Sequence, residues 1–334
     1  MQVLFRKAAY LMVGAALVLS SCSEDDDQTT TPEPQGLTAT LSADARFSVL
    51  VDALERTGLD ATLSGNGIFT VFAPTDAAFG QALIDLGYTD LDALEAGLGT
   101  EGLRNVLRYH VLGTIRRSSD LQTGYSSTAA TNADGDPLSF YLSTGNEVRI
   151  NGSAVVREAN IEASNGVAHV IDAVLLPLSI YDLVRLNPQY SSLNAALMAA
   201  DGDLDAVLAG SGSFTLFAPN DEAFQNVIDA TPGVSNLNDL VTALGTDGLS
   251  TVLLYHVTSG IILSSDLPGL SSNTVSTLAL DGNGANFTFD LDLGMNTTRI
   301  IDGSPATDPA SLTEVDIVGT NGAIHGINAV LLPE

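Results

Sequence analysis

Four histidines, one cysteine and a surplus of carboxylates are the residues of this 334-residue chain that could do chemistry. The histidines fall as two pairs, His110 with His169 and His256 with His325. An imidazole of ordinary pKa can act as a general base, a metal ligand or a pH switch. Closed zinc sites place a further histidine or cysteine a few residues away, and none of the four has one, so no metal is expected. Each histidine also has a counterpart at a matching place in the other half of the chain, which favours a framework role over a specialised base. No catalytic residue is therefore expected. The chain lacks a G-x-S-x-G elbow, an H-E-x-x-H pair and a G-x-G-x-x-G turn, and a phosphate loop is impossible with Lys7 as the sole lysine. No cofactor follows from the sequence. Asp201-Gly202-Asp203-Leu204-Asp205 opens like a calcium loop, but Ala206 and Gly212 occupy the positions where glycine and glutamate belong. A turn with helix-capping duty is expected there instead.

Charge narrows the partners. Forty acids face twelve bases, for a formal net charge of −28. Such a surface repels phosphate backbones and leaves no basic patch to release counterions, which excludes nucleic acid. Cys22 is the only cysteine, so stability must come from packing rather than an intrachain disulfide.

The start of the chain reads as an address. Arg6 and Lys7 precede an apolar stretch from Ala8 to Leu19, and small residues follow, as in a secretory signal covering residues 1–21. Leu19-Ser20-Ser21-Cys22 resembles a bacterial lipobox, which implies cleavage before Cys22 and acylation of that residue as a membrane anchor. Residues 22–36, with Ser23-Glu24-Asp25-Asp26-Asp27 and a Thr/Pro run, read as an extended acidic tether. The acidic run is either a simple spacer or similar to the surface-export signal of Bacteroidetes lipoproteins. The expected location is accordingly exported, on the outer membrane or the cell surface.

An internal repeat organises the rest. Phe69-Thr70-Val71-Phe72-Ala73-Pro74-Thr75-Asp76 recurs as Phe214-Thr215-Leu216-Phe217-Ala218-Pro219-Asn220-Asp221. Tyr109-His110-Val111 recurs as Tyr255-His256-Val257, and Asn165-Gly166-Val167-Ala168-His169 as Asn321-Gly322-Ala323-Ile324-His325. The chain thus divides into copies at 37–178 and 179–334, the second about ten residues longer between Val257 and Asn321. Asp281-Gly282-Asn283-Gly284 and Asp302 to Pro309 are counted in that excess.

Within a copy, Phe47, Leu50, Val51 and Leu54 have helical spacing behind a Ser42 cap. Phe69 to Phe72 reads as a buried strand, and Thr75 or Asn220 as the N-cap of the helix that follows. Leu103, Val106 and Leu107 begin another helical stripe, with His110 on its apolar face. Leu138 to Leu142, Glu147 to Ile150 and Ala168 to Leu176 read as strands. Helices first and strands afterwards predict an α+β fold.

These three motifs, in order and twice over, resemble the fasciclin (FAS1) domain family. The resemblance implies a β-sandwich or wedge flanked by helices, and a class associated with cell adhesion rather than catalysis. It implies binding of extracellular protein or polysaccharide. The Tyr109-His110 and Tyr255-His256 pairs resemble the family's Tyr-His motif, and Asp316-Ile317 its Asp-Ile element, so these six are the candidate binding residues; His169 and His325 belong to the closing structural motif. Two other readings stand beside adhesion: a small-molecule binder with an apolar pocket between helices and sheet, and a hydrolytic enzyme assembled from distant residues.

Overall fold

Phe69 to Pro74 is apolar and β-prone, and it needs cover on both faces. A computed structural model, which describes residues 35–270, 273–294, 298–304 and 308–333, shows how it obtains that cover. The first copy opens with helices α1 (Leu37–Ser42), α2 (Ser48–Thr57) and α3 (Leu59–Leu63), then strand β1 (Phe69–Pro74). Helices α4 (Asp76–Leu86) and α5 (Leu91–Tyr109) follow, and then six strands: β2 (Val111–Leu112), β3 (Gly124–Thr131), β4 (Pro137–Ser143), β5 (Arg149–Ile150), β6 (Ala154–Ala163) and β7 (Gly166–Ile171). The second copy repeats the order with α6 (Ile180–Leu186), α7 (Ser191–Ala199), α8 (Leu204–Ala209), β8 (Phe214–Pro219), α9 (Asp221–Ala230) and α10 (Leu237–Tyr255). Its sheet is completed by β9 (Val257–Ser259), β10 (Thr274–Leu280), β11 (Asn286–Leu293), β12 (Thr298–Ile301), β13 (Ala310–Gly319) and β14 (Gly322–Ile327).

The two sheets share one topology. Their orders are β2-β1-β7-β6-β5-β4-β3 and β9-β8-β14-β13-β12-β11-β10. Only β1 with β7, and β8 with β14, run parallel. Two cores flank each sheet. One lies under the helices, around Leu50, Leu54, Leu103 and Leu107 in the first copy; the other lies within the sheet's fold, around Phe72, Tyr109, Phe140 and Ile150. Phe72 meets Phe140 edge to face at 5.5 Å, and Phe217 meets Phe289 likewise at 5.1 Å. The fold is α+β in both copies, as the order of periodicities predicts.

Local chemistry explains several joints. Thr75 Oγ1 accepts from the Ala78 N–H at 3.2 Å, and Asn220 Oδ1 from Ala223 at 2.9 Å, so both expected N-caps form. Ser42 does not cap the helix behind it; it ends α1. Helix α2 is capped from a distance instead, because Asp76 accepts from the Val49 N–H at 2.8 Å and the Ser48 hydroxyl at 2.6 Å. Asp221 does the same for Ser192 and Ser191 in the second copy. Helix α5 starts a full three turns before the expected Leu103 stripe and bends at Gly99 (φ 72°, ψ 159°), a conformation reserved for glycine; α10 bends identically at Gly245. Asp203 makes no side-chain cap of α8, contrary to expectation. It is Asp201 that ties this turn down, accepting from the Thr246 hydroxyl on α10.

Strand register also relocates the extra residues of the second copy. Asn132 Oδ1 accepts from the Asp134 and Asp136 N–H groups, and Asp281 Oδ1 from Asn283 and Ala285, so the Asp281 turn is the same hairpin and not an insertion. Most of the excess falls between Ile300 and Ala310, whose counterparts Ile150 and Ala154 are paired directly across β5 and β6.

The copies meet through a buried contact. Tyr125 and Tyr141, 5.1 Å apart on β3 and β4, lie against α6, and the Tyr125 hydroxyl donates to the Leu183 carbonyl at 2.8 Å. The Val318 N–H on β13 donates to Ser139 Oγ at 3.1 Å, and Val318 joins the first copy's core.

Candidate functional site

The candidate residues cluster where α5 or α10 delivers the chain to the sheet. Tyr109 is the last residue of its helix, on the side facing the sheet, and is fully buried. Its hydroxyl donates to the Ser139 carbonyl at 2.7 Å and accepts from Asn151 Nδ2 at 3.2 Å. Tyr255 donates to the Thr288 carbonyl at 2.8 Å and accepts from the Gly303 N–H at 3.1 Å. Each phenol thus binds a hairpin strand to a loop.

His110 follows as the helix C-cap, 1 % exposed. Its Nε2 accepts the Leu175 N–H at 2.8 Å, so the proton sits on Nδ1, which donates to the Val106 carbonyl at 2.8 Å. His256 repeats this with the Leu331 N–H at 2.8 Å and the Val252 carbonyl at 2.7 Å. Burial disfavours the imidazolium and pushes both pKa values down to about 4. Both rings are neutral near pH 7, with each nitrogen engaged.

His169 and His325 take the opposite tautomer. His169 Nε2 donates to the Arg116 carbonyl at 2.8 Å, and His325 Nε2 to the Ile262 carbonyl at 2.8 Å. Nδ1 faces the backbone N–H of Asn160 or Asp316 at 3.4 Å in each. His169 stacks on Phe72, and His325 lies tilted against Phe217. Burial lowers both pKa values. With all eight ring nitrogens facing protein partners, none presents a lone pair to a cation. Among the described residues no group of three or more histidine, cysteine, aspartate or glutamate side chains could hold a metal ion.

Asp316 stands in a β-bulge with a left-handed backbone (φ 58°), and so does Asn160 (φ 63°). Asp316 accepts from the Ser264 N–H at 2.7 Å and from the Ser264 hydroxyl. Asn160 accepts from the Ser118 N–H at 2.8 Å and donates to its hydroxyl at 2.7 Å. Ile317, beside it, is 3 % exposed. Tyrosine, both histidines and the bulge residue of each copy therefore lie along one seam that joins helix, closing strand and the loop after β2 or β9. Cys22, the signal and the tether up to residue 34 lie outside the described residues, whereas Gln35 accepts from the Ser164 N–H at 2.9 Å and Gly36 precedes α1 as its N-cap.

Three further residue pairs hold this region together and were not among the expected site residues. Thr70 Oγ1 donates to the Thr114 carbonyl and accepts the Arg116 N–H, and Thr215 does the same with Gly260 and Ile262. Asn165 Oδ1 accepts the Leu37 N–H at 2.8 Å while its amide donates to the Leu63 carbonyl; Asn321 holds Ile180 and Leu208 in the same way. Gly166 and Gly322 are glycine because a Cβ would stand 2.1 Å from the Phe69 carbonyl oxygen or 2.3 Å from that of Phe214. Repetition of Thr and Asn-Gly in both copies is the signal that could have found them.

Open surface near the seam is shallow. A polar cleft of about 230 Å³ runs past Arg116, Gln122 and Thr123, and another of about 410 Å³ past Asn286, Asp290 and Asp302. The apolar space among Leu197, Leu208, Leu253 and Leu278 holds only about 10 Å³. No helix among the described residues is long and apolar enough to cross a membrane.

Repeated topology, repeated seam and repeated motifs define a tandem of one domain type. The fasciclin domain profile matches residues 45–177 and again 188–333, and the chain belongs to the fasciclin domain family. Transforming growth factor-beta-induced protein ig-h3 of Sus scrofa is 28% identical over 81% of this chain and 36% of its own length. Periostin of Homo sapiens is 29% identical over 81% of this chain and 29% of its own length. Protein sll1483 of Synechocystis sp. is 37% identical over 39% of this chain and 67% of its own length. The chain thus spans about a third of the length of the first two relatives. The fasciclin family is one of non-catalytic adhesion modules.

Proposed function

We propose that this chain is an exported lipoprotein, anchored through acylated Cys22, whose two domains attach the cell surface to an extracellular protein or polysaccharide. The observation that carries the reading is the tandem itself: two complete fasciclin domains in which every histidine is spent on the framework. The ring nitrogens of that seam are held by backbone partners, which supports a structural use of the histidines. A small-molecule carrier needs an enclosed apolar pocket of roughly 300 Å³ or more. The apolar space between helices and strand β10, at about 10 Å³, is far smaller than that.

Attachment is the test. Cells carrying the chain should adhere to matrix protein or to biofilm polysaccharide, and deletion of the chain should reduce adhesion. Wild-type adhesion in the deletion strain, with no retention of the purified chain on a broad protein and glycan panel, would overturn the reading. Cys22→Ala should abolish incorporation of labelled fatty acid and release the chain from membranes; unchanged labelling would remove the anchor.

A further inference from the structure

The two copies act as internal controls for each other, because a side chain that the fold needs should recur in both. Four aliphatic positions on the second copy fail that criterion. Val207 on α8 is 42% exposed and Leu280 on β10 is 55% exposed. Leu254 on α10 and Leu278 on β10 are half-buried beside them, around the mouth of the small apolar space. Strand register and helix position equate these four with Thr62, Arg108, Ala129 and Thr131 in the first copy. The fold therefore stands without the aliphatic set. Leu278 and Leu280 share one face of their strand, two residues apart, and helix α10 brings Leu254 alongside. Exposed aliphatic side chains grouped with half-buried neighbours mark contact surfaces, whereas single exposed leucines do not.

Charge around the face selects the occupant. Residues 179–334 carry eighteen acids against Arg185 and Arg299, while residues 37–178 carry eight arginines. Asp203 and Asp205 precede Val207, Asp281 follows Leu280, and Asp247 lies two turns before Leu254 on α10. Of this copy's two arginines, Arg185 is on α6, which packs against α8, and is paired with Asp182 at 3.3 Å, and Arg299 is on β12. A second copy of the chain, at −28, would be repelled. An acyl chain would find no depth to enter. We propose that Val207, Leu254, Leu278 and Leu280 form a docking face for a cationic protein segment that lays aliphatic side chains on it. This deepens the adhesion reading, on which it rests, by naming the partner's chemistry.

The test uses the full chain and a synthetic amphipathic peptide with a leucine stripe and a lysine face. Binding followed by fluorescence anisotropy should weaken with salt, and hydrogen exchange should show protection at residues 204–209 and 274–280. Replacing the set by its first-copy counterparts (Val207→Thr, Leu254→Arg, Leu278→Ala, Leu280→Thr) should weaken binding at least about tenfold. Leu280→Thr alone, at an exposed site that cannot unfold the chain, should weaken it about threefold. Equal binding by a peptide with glutamate for lysine or serine for leucine, or equal binding by both variants, would overturn the proposal. So would protection confined to other segments. If the wild type adheres to a natural surface and the fourfold variant adheres equally, the docking face is refuted and adhesion stands. If the wild type adheres to nothing yet binds the peptide at this face, adhesion is refuted and the docking face stands.

Discussion

The imidazole of His110 accepts the backbone N–H of Leu175 at 2.8 Å, across 65 residues of sequence. The same bond joins His256 to Leu331 at 2.8 Å, across 75 residues. In each copy it fastens the long helix to the segment that leaves the closing strand. The neutral ring is the only form able to make it, since an imidazolium has no acceptor.

Acid should therefore loosen both copies. Each of these histidines titrates at about 4 when folded, against 6.5 for an ordinary imidazole, so between those values the unfolded chain binds more protons than the folded one. Stability contributed by the neutral rings is complete above pH 6.5 and is lost as pH falls towards 4. The expected slope is about 1.4 kcal/mol per pH unit for each histidine in that window. Urea midpoints measured from pH 7 to pH 4 should fall accordingly, and His256→Gln should flatten the fall. A midpoint independent of pH over this range would contradict the assigned protonation.

Removing the ring should cost stability rather than a ligand contact. His110→Ala strands the Leu175 N–H and the Val106 carbonyl and opens a cavity, for a loss of about 3 kcal/mol. Tyr109→Phe forfeits the bond to the Ser139 carbonyl and should cost about 1–2 kcal/mol. Denaturation followed by circular dichroism checks both. Loss of attachment at full stability would show instead that these residues touch a partner.

Asp316 offers a sharper separation of frame from contact. Asp316→Asn imports the first copy's Asn160 and keeps partners for Ser264, so stability should change by less than about 0.5 kcal/mol. Asp316→Ala loses both bonds and leaves a left-handed alanine, at a cost of about 2–3 kcal/mol. Adhesion that drops with the asparagine variant would assign the carboxylate to binding.

At Gly166 the prediction is steric. A Cβ 2.1 Å from the Phe69 carbonyl oxygen cannot be relieved without parting β1 from β7, so Gly166→Ala should cost more than about 4 kcal/mol or prevent folding of the first copy. Thermal unfolding that matches the wild type would exclude the parallel pairing described for these strands.

The contact between copies should make them unfold together. In the second copy the counterparts of Tyr125 and Tyr141 are Thr274 and Asp290, which are exposed and hydrogen-bonded to each other at 2.6 Å. Tyr141→Asp should therefore convert the docking strand to a solvated one. Calorimetry should then resolve two transitions, and small-angle scattering a longer particle; a single unchanged transition would mean that the interface contributes no coupling.

Much of this was legible because it is local or repeated. Thr75 and Asn220 announce their helices by residue type and position, and both caps form. The Asp76 bond to the start of α2 was not legible, since it closes 27 residues of intervening chain and any carboxylate could have served. The Asp281 turn looked like an insertion until its hydrogen bonds matched those of Asn132. Gaps in a repeat cannot be placed where the flanking residues are merely strand-like.

By itself the sequence determined the duplication, the α+β order and the Thr75 and Asn220 caps, because periodicity, motif identity and capping chemistry are properties of neighbouring residues. Only the tertiary structure decided what the histidines do, which tautomer each holds, that Tyr125 and Tyr141 seat the second copy, and that Val207 and Leu280 stay exposed. Those facts depend on which distant groups are brought within hydrogen-bond or van der Waals range, and burial assigns their protonation only after that approach is made.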